Sequence, residues 1–192
     1  MRALFFLLML ILPLAAKESP EEILAVLPEK IAGCEKTKYH AYEPAGLGGS
    51  VSFTTPGLVV TVYVYDLGKR NITESLDNPD LQEAFDKARA ELASALKQGM
   101  HSEVTEKNPE DRRSTIGTLV ATYRVVHTKG ASAGMPLFSE IHVFGAHGHI
   151  IKFRVSGETE NETELRSVLE QLLFKIRTAL SRDLRAPAPK AK

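Results

Sequence analysis

Two long β-patterned runs, Leu137 to Ala146 and His149 to Ser156, are separated only by His147-Gly148. A two-residue connection with glycine in second place is hairpin-turn chemistry. It sets a register in which position 146 faces 149 and 142 faces 153. Because successive strand side chains point to opposite faces, that register also decides which residues share a surface. Another hairpin lies upstream: Val51-Ser52-Phe53-Thr54 alternates, Pro56-Gly57 is a turn dipeptide, and Leu58 to Tyr65 is rich in β-branched and aromatic residues. Its second strand carries Val60, Val62 and Val64 on one face and Thr61, Tyr63 and Tyr65 on the other, so both faces are expected to be at least partly covered. A weak strand over 101–107, a turn at Asn108-Pro109-Glu110-Asp111 and a long strand from Ser114 to His127, bent at Gly117, complete the β pattern.

Helices fill the spaces between. Ser19-Pro20-Glu21-Glu22 has a cap residue, proline at the first helical position and an acid three residues after the cap, and Pro28 limits the short helix it opens. Leu81, Phe85, Ala88, Leu92 and Leu96 form one stripe at helical spacing, with Gly99 as a stop, which predicts a helix over 79–98. Thr159-Glu160-Asn161-Glu162 fits a capping box before a long helix with Leu165, Val168, Leu169, Leu172, Leu173, Ile176 and Leu180 on its apolar side. The expected fold is α+β, an antiparallel sheet of five to seven strands flanked by helices.

The chain opens as an export signal does. Met1-Arg2 supplies a positive start, Ala3 to Leu14 is an apolar run, and Leu14-Ala15-Ala16 offers small residues for cleavage before Lys17-Glu18-Ser19-Pro20. The run is shorter than the ~18–20 residues that span a bilayer, so 1–16 reads as a cleavable signal peptide and no stable membrane insertion is expected after cleavage. Residues 17–181 then form a single domain of ordinary size, and 182–192, proline-broken and basic, read as a disordered tail. The destination is periplasmic or extracellular. There the single cysteine, Cys34, has no intrachain partner, so stability must come from packing. Ile31-Ala32-Gly33-Cys34 imitates a lipid-attachment box, but Glu18, Glu21, Glu22, Glu29 and Lys30 separate it from the apolar run. The 24 basic and 24 acidic residues give no excess charge with which to hold nucleic acid. Asn71-Ile72-Thr73 and Asn161-Glu162-Thr163 are sequons that read first as turn and cap chemistry.

This element order, strand pairs, a helix midway, further antiparallel strands and a long closing helix, resembles the PsbP-like fold of extrinsic photosystem subunits and their non-photosynthetic relatives. The resemblance covers residues 20 to 181 and implies an α/β/α sandwich. It rests on element order, so it implies no functional residue.

Candidate chemistry is sparse. His142, His147 and His149 lie close in sequence, and imidazole is a common metal ligand. The hairpin register places His142 and His149 on one face but apart along the strands, with His147 at the exposed tip and Glu140 the nearest acid on that face. No metal site is assigned. Gly46-Leu47-Gly48-Gly49-Ser50 precedes a strand rather than a helix and lacks a phosphate-loop lysine, so it reads as a flexible strand entry. Cys34 and His40 could form a nucleophile and base, but six residues of separation give no reason for contact. Thr61, Tyr63 and Tyr65 could stack a ligand or lie beneath a helix; Lys152 and Arg154 could bind an anion or guard a solvated face. The small-residue loop 129–136 could be a lid or a plain connection. No catalytic or cofactor-binding residue and no cofactor is assigned. The expected function is that of a non-catalytic exported module binding a protein or envelope component through a sheet face or the 129–136 loop. The rival is a small-ligand carrier or enzyme whose site is assembled from residues distant in sequence.

Overall fold

The structure, a computed structural model, describes residues 17–44, 47–130 and 132–181. The signal peptide expected over 1–16 and the tail expected over 182–192 lie outside the described residues. In chain order the elements are α1 (Pro20–Ala25), β1 (Lys30–Ile31), β2 (Cys34–Lys36), β3 (His40–Ala41), β4 (Gly49–Thr55), β5 (Leu58–Tyr65) and α2 (Pro79–Lys97). There follow β6 (His101–Lys107), β7 (Leu119–His127), β8 (Pro136–Ala146), β9 (His149–Glu158) and α3 (Glu162–Leu180).

The strands form one antiparallel sheet in the order β1-β2-β4-β5-β9-β8-β7-β6, with β3 also paired to β4. The anticipated hairpin register holds: Ala146 pairs with His149 and His142 with Phe153. His147 and Gly148 both take positive φ, +53° and +70°, the pair of left-handed residues that a twisted two-residue hairpin needs. Among the described residues the sheet has nine strands rather than five to seven. The additional strands are β1, β2 and β3, two or three residues each, too short to leave a periodic trace in sequence. β2 and β3 share the outer edge of β4, at Phe53–Thr54 and Gly49–Ser50 respectively.

Alternation divides the interior into two cores. Val60, Val62 and Val64 of β5, Phe138 and Phe144 of β8, and Ile151, Phe153 and Val155 of β9 pack with Ile23 and Leu24 of α1 and the stripe from Leu165 to Leu180 of α3. Residues of opposite parity, Leu119, Ala121, Tyr123 and Val125 of β7 and Ile141 and Val143 of β8, pack with Leu81, Phe85, Ala88 and Leu92 of α2. Burying each large apolar side chain stabilises the fold by roughly 1.5–3 kcal/mol, so both faces of the sheet contribute. Cys34 is fully buried in the first core. Among the described residues, no helix is long and apolar enough to cross a membrane.

Three local expectations are corrected. The α1 capping box forms, with Glu22 N–H donating to Ser19 Oγ and Ser19 N–H to Glu22 Oε2. The box expected at α3 does not, because Thr159 Oγ1 donates instead to Pro136 O at 3.0 Å and ties that residue to the start of β8. In α2, Ala95 is buried and Leu96 is exposed. The strand expected from Ser114 begins only at Leu119, because Ser114–Thr118 closes a turn: Gly117 N–H donates to Ser114 O and Ser114 N–H to Thr118 O, with Gly117 at φ +73°.

Candidate functional site

Glu140 and His142 occupy alternate positions of β8, between Phe138 and Phe144 on the same strand face. Two polar residues interrupting a buried apolar row must find partners there, since an unsatisfied buried polar group costs about 1–3 kcal/mol. They find each other first, with His142 Nε2 2.9 Å from Glu140 Oε2. The second carboxylate oxygen accepts from Arg166 Nη1 of α3 at 2.7 Å. Arg166 Nε donates to Glu162 one helical turn earlier, also at 2.7 Å, and the guanidinium lies 4.7 Å from the centre of the Phe138 ring. Burial pushes the Glu140 carboxyl up, but the hydrogen bonds and charge of His142 and Arg166 outweigh it and hold the group below the usual carboxylate range.

The turn at 114–118 closes the other side. His142 Nδ1 lies 2.9 Å from Thr118 Oγ1, and Thr118 Oγ1 lies 2.7 Å from Ser114 Oγ. An ionised carboxylate only accepts, so a neutral imidazole here carries its proton on Nε2 and presents the Nδ1 lone pair to Thr118. Thr118 then donates to Nδ1 and can accept from Ser114. The result is one directed chain, Ser114 to Thr118 to His142 to Glu140, anchored by Arg166.

Thr118 is fully buried and Ser114 partly so. Ser114, Glu140, His142 and Arg166 line a cavity of about 510 Å³ between the 111–120 segment and α3, as do the charged Asp111, Arg113 and Glu170. Ile116, Val120, Leu169 and Leu173 supply its apolar wall, and Phe174, 60% exposed, also lines it.

The histidines of the β8–β9 hairpin do not meet. His147 is not at an exposed tip: its Nε2 lies 2.9 Å from Leu180 O and its Nδ1 3.0 Å from Glu18 Oε2, so the end of α3 and the segment before α1 cover it. His149 is buried, with Nδ1 2.8 Å from His147 O and Nε2 3.9 Å from Asp66 Oδ2. Burial pushes its imidazole below the usual value. Among the described residues, no three His, Cys, Asp or Glu side chains are grouped to hold a metal ion.

Cys34 and His40 do not assemble either. The thiol is buried and pushed up by desolvation, while His40 is exposed with its ring 4.7 Å from that of Tyr42. The glycines at the entry to β4 serve close packing: a Cβ on Gly48 would meet Val64 O at 2.0 Å and one on Gly49 the Tyr39 hydroxyl at 2.2 Å. Gly46 lies outside the described residues. The 129–136 loop folds back on β7 through Gly134 N–H to His127 O. The tyrosine stripe and the basic pair share a face, Thr61 opposite Arg154 and Tyr63 opposite Lys152. Lys152 Nζ sits 4.8 Å from the Tyr63 ring centre and 3.7 Å from Glu91, beside a smaller cavity of about 210 Å³.

Sequence reasoning missed Ser114, Thr118 and Arg166 as a set. The available signal was the Glu140/His142 pair, two polar residues on a strand face that is otherwise apolar. No protein-family model matches the chain, and no curated protein matches it.

Proposed function

We propose that this chain is an exported single-domain protein that binds a small amphipathic ligand in the cavity beneath α3. The observation that carries this reading is that Ser114, His142, Glu140 and Arg166 line the same cavity of about 510 Å³ as the apolar Ile116, Val120, Leu169 and Leu173. That volume is within the range of small-molecule sites, which pair apolar walls with a few fixed polar groups. The reading is the small-ligand one of the two raised by the sequence, and it moves the site away from the sheet face and the 129–136 loop. Export rests on the sequence pattern of residues 1–16. The division of the two cores, α2 in one and α1 with α3 in the other, supports the reading of the fold as an α/β/α sandwich.

The test is titration of the mature chain with an anilinonaphthalene sulfonate probe, followed by displacement with fatty acids and lipid esters. Leu173→Trp, which fills the cavity from its apolar wall, should abolish displaceable binding while leaving the fold intact by circular dichroism. Equal binding by the wild type and Leu173→Trp would end the proposal. A second reading, docking of an envelope protein, draws on exposed Phe174 and Val26, which flank a neighbouring depression of about 370 Å³. Val26→Ser, which lines only that depression, should then remove a pulled-down partner without altering probe binding.

A further inference from the structure

Resting on the ligand-binding reading of the same cavity, we infer that the Ser114-Thr118-His142-Glu140 chain makes Ser114 a nucleophile toward a carboxylic ester. The inference comes from the direction of the hydrogen bonds. Glu140 is held as an acceptor by Arg166, which fixes the His142 proton on Nε2 and leaves Nδ1 to receive one. Thr118 is too deeply buried to meet a ligand, but its hydroxyl links Nδ1 to Ser114 Oγ at 2.9 and 2.7 Å, and Ser114 lines the cavity. The Thr118 backbone N–H also donates to Ser114 Oγ at 3.2 Å, and Ser114 Oγ lies 3.4 Å from Thr118 O, longer than its 2.7 Å contact with Thr118 Oγ1, so the turn holds the side chain beside Thr118. A hydroxyl activated through a base that a third group orients is the general arrangement for acyl transfer. Here one further hydroxyl is interposed.

The step balances without a cofactor. Ser114 Oγ bonds to the ester carbonyl carbon as its proton passes to Thr118 Oγ1 and the Thr118 proton passes to His142 Nδ1. The resulting imidazolium is stabilised by the Glu140 carboxylate. The acyl carbon–oxygen bond then breaks; with an aryl ester the aryloxide leaves as the anion and needs no proton, so an acyl-Ser114 and an aryloxide remain beside the imidazolium. Hydroxide from solvent then attacks the acyl carbon, Ser114 Oγ leaves and takes its proton back from His142 Nδ1 through Thr118 Oγ1, and the acid is released. The apolar wall at Leu169 and Leu173 suits an aliphatic acyl chain. Ser114 is the catalytic residue in this scheme; Thr118 and Glu140 position and transmit.

The experiment is reaction of the mature chain with p-nitrophenyl butyrate and, separately, with a fluorophosphonate probe, with the adduct mapped by peptide mass spectrometry. The expected results are a burst of one equivalent and an adduct on Ser114 alone. Thr118→Val should slow adduct formation on the order of 100-fold or more, because it removes base assistance, and Thr118→Ser should restore it. Ser114→Ala should lose the adduct, and anilinonaphthalene sulfonate binding by the wild type, measured in parallel, separates this inference from the binding proposal. A wild-type protein that binds the probe yet forms no adduct would overturn nucleophilic catalysis and leave the ligand site standing. So would an adduct at another residue, or equal rates for the wild type and Thr118→Val. Loss of both probe binding and adduct in the wild type would overturn the two together.

Discussion

Replacing Glu140 by glutamine preserves the shape of a side chain that is only 7% exposed and removes its charge. Glu140 takes part in two charge-assisted bonds, from Arg166 at 2.7 Å and with His142 at 2.9 Å, and such bonds contribute about 1.5–3 kcal/mol each. The new amide oxygen can still accept from Arg166, which also keeps Glu162, so that arm is weakened rather than lost. The other arm reverses. The amide nitrogen donates to Nε2, the ring proton moves to Nδ1, and Thr118 changes from donor to acceptor. One bond loses its charge and a second reorganises, so E140Q should destabilise the fold by about 2–4 kcal/mol at neutral pH. With a urea dependence of about 1–3 kcal/mol per molar, the unfolding midpoint should fall by roughly 1–2 M. The folded carboxyl is held below its ordinary 4.5, so its contribution is complete above that value and is lost as pH falls through the folded value. The gap between wild-type and E140Q urea curves, recorded from pH 7 to 3.5, should therefore narrow as pH falls below 4.5. A double-mutant cycle with His142→Gln should give a coupling of about 1 kcal/mol or more. A gap under about 0.5 kcal/mol at pH 7, or one that persists unchanged at pH 3.5, would refute the directed chain.

Phe138 lies against Gly157, where an added Cβ would fall 2.1 Å from its Cζ, and Arg166 stacks on the same ring. Gly157→Ala should cost about 1–3 kcal/mol by overpacking and weaken probe binding; an unchanged melting temperature would show that the ring gives way freely. His149 and His101 are buried and their imidazoles are pushed below 6.5 by desolvation. Both then stabilise the fold fully above that value and progressively less as pH falls, with a slope of up to about 1.4 kcal/mol per pH unit each. A H101Q/H149Q protein should have a flatter stability profile between pH 7 and 5.5 in urea titrations, and an identical profile would contradict the assignment. Replacing the network with apolar residues, as E140L/H142F/R166M, should leave urea stability within a few kcal/mol of the wild type while abolishing probe binding. A collapse of the fold would make the network architectural.

What the sequence disclosed followed from periodicity. β5 and the β8–β9 hairpin were legible because alternation, β-branching and His147-Gly148 agree with one another, and the 142–153 and 146–149 pairs follow from that turn alone. β1, β2 and β3 were illegible because two or three residues carry no period; their place is set by pairing with each other and with the edge of β4. The false cap at α3 shows local chemistry losing to a tertiary partner, since Thr159 Oγ1 is drawn to Pro136 O 23 residues away. His147 was misjudged for the same reason: its burial depends on Leu180 and Glu18, which no local pattern connects to a hairpin tip. The site was least legible because its hydroxyls, imidazole and guanidinium come from a turn, a strand and a helix.

The position of the polar pair is nonetheless informative in energetic terms. A buried ion network seldom stabilises a fold more than apolar residues of the same shape would, although breaking it in part is costly. The row that contains Glu140 and His142 is otherwise filled by Phe138 and Phe144, and α3 opposite it offers Leu165, Leu169, Leu172 and Leu173. An apolar residue at either position would have fitted this face. Glu140, His142 and Arg166 are instead satisfied by one another and by Thr118, and they stand at the point where the packed core opens into the cavity. Packing does not account for that coincidence of full satisfaction and access, whereas a ligand or a reacting group entering the cavity would.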